Sequence, residues 1–226
     1  MKHNTELILN GYAGKIEARY LHNPSPHAPI ALVFHPSPLH GGTMNNRLTK
    51  AIFNAFAVND FSVVRFNFRG VGRSDGVHDY GDGELMDAAA ILDWMKSVNP
   101  GARRIWVGGF AFGAFVAMQL LMRRPEFDGF ICVSPPANLY DFSFLAPCPS
   151  SGLIVSPSDD VLCPADPVEK MVARLQAQRS ISVEHKIIQT NEHLYSDKMD
   201  ELNDIFKNYI GNSEHDMLDH VKAVNV

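Results

Sequence analysis

A chain of 226 residues with 46% apolar side chains is long enough for one compact domain, which at that size removes roughly 70% of its unfolded surface from water. With 20 Lys and Arg against 25 Asp and Glu the formal net charge is −5, and the cations are scattered rather than clustered. A general attraction for phosphate backbones or acidic lipid is thereby excluded, so neither nucleic acid nor membrane is an expected partner.

Two short alternating segments open the chain, residues 6–10 and 15–21, and the intervening Gly11-Tyr12-Ala13-Gly14 suits a hairpin. After the turn Asn23-Pro24-Ser25-Pro26 the pattern changes. Nearly continuous apolar runs at 30–34, 63–68, 105–110, 130–133 and 153–155 alternate with helix-period segments at 46–58, 84–98, 112–123, 167–177 and 198–210. Continuous apolar strands indicate burial on both faces, as in a parallel sheet covered by helices. In the 84–98 segment Leu85, Ala88, Ala89, Leu92 and Met95 recur at three- and four-residue steps, the mark of one buried face. The 112–122 segment is apolar nearly all round and is expected at the centre of the domain. A βαβα order with right-handed crossovers predicts a doubly wound sheet in a domain spanning 1–210. Gly211 reads as a helix stop, leaving 211–226 as a tail that either frays or forms a short amphipathic helix for a homodimer contact.

The three cysteines, Cys132, Cys148 and Cys163, are odd in number and have no C-x-x-C spacing, which argues for reduced thiols and against a zinc site. No His, Asp and Glu cluster has ligand spacing, so no metal or other cofactor is expected. The amino-terminal residues lack the apolar core of a signal peptide, and the most apolar stretch, 108–122, falls short of the roughly 18 residues that cross a bilayer. A cytoplasmic location is the resulting expectation.

The sharpest local signal is Gly109-Phe110-Ala111-Phe112-Gly113, following a strand and opening an apolar helix. Glycines on both flanks permit the tight strand-to-helix turn of a G-x-S-x-G nucleophile elbow, but the central residue is Ala111, a methyl group with no nucleophilic atom. Taken alone, the glycines equally suit close packing of helix on sheet. Position along the chain tips the balance. Folds of this class place nucleophile, acid and histidine in that order, each on a loop at the carboxyl end of a strand. Asp160 follows the 153–155 strand and His193 follows the 183–188 strand, and a carboxylate can hold an imidazole in one tautomer and stabilise its protonated form. Asp159 competes with Asp160 for that role. An acid there could instead cap the helix beginning near Asp166, and a loop histidine could simply be solvated. An oxyanion site needs two backbone N–H groups. Phe112 supplies one and Ser37, between Pro36 and Pro38 which have no N–H, is the best placed second, with Leu39 behind it.

Together with His35-Pro36-Ser37-Pro38, Gly41-Gly42-Thr43-Met44-Asn45-Asn46 and Arg65-Phe66-Asn67-Phe68-Arg69-Gly70-Val71-Gly72-Arg73-Ser74, this elbow resembles the α/β-hydrolase superfamily. Within it, the chain resembles the small, lidless bacterial esterase-like hydrolases related to dienelactone hydrolase. The resemblance covers about residues 7–210. It implies a single-domain α/β-hydrolase fold with an eight-stranded, mostly parallel sheet, helices on both faces and no cap domain. It also implies a catalytic Ser, Asp and His falling on Ala111, Asp160 and His193. Residues 135–149 are too few for a cap of ordinary size, so an open pocket is expected. Its expected lining is Leu39, Phe112, Tyr140, Leu194 and Tyr195, with Phe142 serving the pocket or the core edge, suited to a small-molecule ester, lactone or acyl ligand. Three functions remain: an esterase lacking its nucleophile, a pseudo-hydrolase binding a small ligand or protein partner, and an enzyme using the His193–Asp160 pair as a general base.

Overall fold

The computed structural model describes residues 3–224, with side-chain surroundings from residue 4 to residue 214. The sheet has eight strands in the order β1 (His3–Asn10), β2 (Lys15–His22), β4 (Ser62–Phe66), β3 (Ile30–Phe34), β5 (Ile105–Phe110), β6 (Gly129–Val133), β7 (Ser151–Pro157) and β8 (Val183–Ile188). The leading hairpin is antiparallel, in register Leu7↔Ala18, and β2 also runs antiparallel to β4. From β4 to β8 every pairing is parallel. The continuous apolar runs account for this. β3, β4, β5 and β6 are buried at every position, which only helices on both faces can provide.

Strand alternation divides the interior into two layers. Leu32, Phe34 and Ile154 face α2 (Asp82–Val98), α3 (Phe112–Arg123) and α4 (Ala165–Gln176), where Leu85, Ile91, Met118, Leu121 and Val172 pack. Ala31, Val33 and Val155 face α1 (Arg47–Val58) and α5 (Met199–Val224), which contribute Ile52, Phe56, Leu202 and Phe206. Each fully buried Leu or Phe contributes about 2 kcal/mol by removal from water, so both layers are needed. As expected, α3 is the central helix, with eight of its residues buried.

The carboxyl-terminal helix differs from the expectation. Gly211 does not end it, and α5 continues to Val224. A glycine inside a helix costs only about 1 kcal/mol, less than the tertiary contacts available on either side of it. Ile210 is fully buried. Beyond the glycine, Arg104 donates to the Glu214 carboxylate at 2.7 Å and to the Ser213 carbonyl at 3.3 Å. The expected partner contact of 215–226 lies outside the described side chains. Among the described residues no helix is long and apolar enough to cross a membrane, and no group of three or more His, Cys, Asp or Glu could hold a metal ion.

Candidate active site

The turn between β5 and α3 places Ala111 at φ 51° and ψ −119°, left-handed backbone that costs a non-glycine residue on the order of 1–3 kcal/mol. Its surroundings enforce that conformation. The Ala111 N–H donates to the Val133 carbonyl at 2.9 Å, and the Ala111 carbonyl accepts from Ala114 at 2.9 Å. The flanking glycines permit the approach. A Cβ at Gly113 would stand 2.5 Å from the His35 carbonyl oxygen, and one at Gly109 would stand 2.3 Å from the Gly113 carbonyl oxygen. Both obstacles are backbone, which cannot yield cheaply, so glycine at each position is a requirement of the turn.

Two extensions beyond the last parallel strands build the other half. Ser158 ties them together: its N–H donates to the Ile188 carbonyl at 2.8 Å, and its hydroxyl donates to the Thr190 carbonyl and accepts from the Thr190 N–H. This stitching delivers Asp160 to His193. Asp160 Oδ2 lies 2.6 Å from His193 Nδ1, while Oδ1 accepts from the Leu162 N–H at 2.9 Å. Of the two competing acids, Asp160 is the one bonded to the imidazole, and Asp159 is exposed. Neither caps a helix. The His193 ring packs 5.0 Å from the ring of Phe110, the residue preceding Ala111, so the pair stands against the elbow.

The loop after β3 is equally constrained. His35 is fully buried, its Nδ1 donating to the Pro36 carbonyl at 2.7 Å and its Nε2 accepting from the Phe68 N–H at 2.9 Å. Two backbone partners of opposite kind fix one neutral tautomer, and burial lowers its pKa to about 4. Ser37 is half-buried, and its hydroxyl accepts from the Leu39 N–H at 3.2 Å. That bond occupies the Leu39 N–H. Among the described residues no acceptor is seen for the N–H of Ser37 or of Phe112, so each is open to a ligand. The Ser37 hydroxyl itself is engaged within its own turn.

The expected pocket lining divides. Phe112 and Tyr140 pack together, with ring centroids 5.9 Å apart, while Leu39 and Leu194 are exposed at 61% and 51%. Tyr195 does not line a surface. It is fully buried, its hydroxyl 2.7 Å from the Ser134 hydroxyl, and it belongs to the layer beneath the site, because a left-handed backbone at φ 51° turns its ring inward. Phe142 is buried at the core edge. Cys163, near Asp160, is no reactive thiolate, because burial and the Asp160 charge push its thiol up to about 12.

The sequence reading missed a second imidazole–carboxylate pair. His78 Nδ1 lies 2.7 Å from Glu84 Oε1, and the His78 ring packs 5.2 Å from that of Phe112. A lone loop histidine six residues from a helical glutamate carries no motif that would have singled it out.

A family profile described as serine aminopeptidase, S33, matches residues 37–150. An uncharacterized protein of Rickettsia prowazekii is 46% identical over 91% of this chain and 88% of its own length. Among solved structures, a protein of unknown function from Agrobacterium tumefaciens, assigned provisionally to the α/β hydrolases, is 46% identical with a TM-score of 0.89, covering 91% of this chain and 94% of that one. The protein XC6422 of Xanthomonas campestris, a member of the α/β serine hydrolases without a lid, is 27% identical with a TM-score of 0.80, covering 91% of this chain and 93% of that one.

Proposed function

The chain belongs to the α/β-hydrolase superfamily, and on that premise we propose that it is a carboxylesterase-like scaffold that binds small acyl esters or lactones but does not turn them over. One observation carries the reading: an alanine occupies the strained turn at φ 51°, while the ring of the preceding Phe110 packs 5.0 Å from that of His193, itself bonded to Asp160 at 2.6 Å. Strain of this kind persists where a reactive side chain must be presented. Here the frame is intact and the oxygen is missing. Loss of a triad nucleophile typically costs about 10⁶ in turnover, roughly 8 kcal/mol, and leaves binding and the oxyanion donors in place.

Ligand would bind with its carbonyl oxygen between the N–H groups of Ser37 and Phe112, its acyl part against Phe112 and Tyr140, and Leu39 and Leu194 at the rim. No cofactor enters this scheme. Restoring the nucleophile tests it: Ala111→Ser should raise p-nitrophenyl acetate hydrolysis by at least about 10³ over the native chain, read as p-nitrophenolate release. No gain in a folded variant would refute the reading.

A second reading is favoured by the tightness of the His193–Asp160 bond in a chain with no hydroxyl to deprotonate at position 111. In it the pair acts as a general base on water or an acidic carbon. Any slow ester hydrolysis by the native chain should then vanish in His193→Ala; persistence excludes it.

A further inference from the structure

Resting on the acyl-binding reading above, we propose that His78 is a ligand-contacting specificity residue that accepts a hydrogen bond from a hydroxyl on the acyl part of the ligand, so that the preferred ligands are hydroxyacyl esters. The geometry is a second dyad on the other flank of the elbow. His193 packs on Phe110, and His78 packs on Phe112. In this chemistry the triad histidine delivers its proton to the leaving group, so the leaving group lies on the His193 side and the acyl part on the opposite, Phe112, side.

Glu84 has no need of His78. It is fully buried, with Oε1 accepting from the Asp79 N–H at 3.0 Å and Oε2 from the Gly81 N–H at 2.9 Å. The imidazole is therefore the oriented member of the pair. Its Nε2 is buried and has no hydrogen-bond partner, and the side chain is only 10% exposed. Leaving such an atom unpaired costs about 1–3 kcal/mol, whereas a phenylalanine at position 78 would pack on Phe112 without that cost. Other buried atoms are orphaned too, on Thr49, Arg65, Arg69 and Trp106, but among them only His78 carries its atom on a ring packed against an elbow residue.

The chemistry of the ring names the ligand group. A carboxylate at Nδ1 holds the proton there in the neutral ring and leaves Nε2 as a lone-pair acceptor, which takes a hydroxyl donor. An anionic substituent is disfavoured, because Asp79, Glu84 and Asp87 gather around the single Arg69. Tyr140 stands on the same wall, where burial and the Glu84 charge keep its hydroxyl protonated.

Equilibrium binding to the chain with Ala111 in place, which should not consume an ester, provides the test, with two matched pairs of probes: methyl lactate against methyl propionate, and methyl 3-hydroxybutyrate against methyl butyrate. At least one hydroxy ester should bind about tenfold tighter than its partner, and His78→Phe should remove that difference within the pair. Labelling the histidine nitrogens gives a readout independent of that variant's folding: the His78 Nε2 resonance should move with the hydroxy ester and not with the plain one. Equal affinities within both pairs, or a preference that survives His78→Phe, overturn the proposal. If no ester of either kind binds, the acyl-binding reading fails first and takes this one with it.

Discussion

His35 closes strand β3 and His193 lies beyond strand β8, and the two are wired in opposite ways. Both nitrogens of His35 are spent on backbone, one donating to Pro36 and one accepting from Phe68, and the ring is fully buried. Among the described residues only Nδ1 of His193 has a partner, the Asp160 carboxylate, and a fifth of the side chain meets solvent. A histidine that holds a loop in place is satisfied at both nitrogens, whereas one that moves a proton must be satisfied at one and free at the other. On that criterion the loop after β3 is the fixed half of the candidate site, and we propose the Asp160–His193 loops as its reactive half. The elbow that carries Ala111 touches both, Gly113 lying against the His35 carbonyl and Phe110 against the His193 ring.

The largest test of this contrast uses the Ala111→Ser chain. There His193→Ala should reduce the restored turnover by about 10⁴–10⁶, far more than the loss of stability from unpairing the buried Asp160 can account for. A loss of a few-fold would show that the two halves do not work as a unit. Next comes the acid. Asp160→Asn in the same background should cost about 10⁴ in turnover by favouring the wrong imidazole tautomer, while Asp159→Asn should leave rates within about twofold. Equal losses from the two would dissolve the distinction that the 2.6 Å bond draws.

What could be read without coordinates follows the same division. The elbow, the buried parallel strands and the loops that carry Asp160 and His193 are local matters: small residues where backbones meet, apolar runs where both sheet faces are covered, and turn residues after strands. They declare themselves in a dozen residues or fewer. The choice of Asp160 over Asp159 depended on which carboxylate faces the β8 extension, a matter of the stitching of Ser158 to Thr190, 32 residues further along the chain. Tyr195 looked like a pocket aromatic because it follows His193. Its left-handed backbone, invisible in a residue type that seldom adopts it, sends the ring into the core. His78 was silent for a related reason. Its partner and its neighbour Phe112 reach it only through the fold. Gly211 misled because the glycine penalty is smaller than the buried contacts of α5 that oppose it.

The smallest predicted effect concerns the fixed half and appears in stability against pH. Folding lowers the pKa of His35 from 6.5 to about 4, because burial disfavours the charged ring. Between those values the unfolded chain binds the proton and the folded chain does not. Stability from this group is complete above pH 6.5 and is lost as pH falls toward 4, by about 1.4 kcal/mol per unit and about 3 kcal/mol in all. Urea midpoints of the native chain should therefore fall across that window. His35→Gln, which keeps polar atoms but has nothing to titrate, should flatten most of the slope even though it lowers stability throughout. His185, also shifted down by burial, leaves a residual slope of the same sign. A slope that survives His35→Gln would show that the ring after β3 is not the buried neutral group, and the fixed half would have been wrongly assigned.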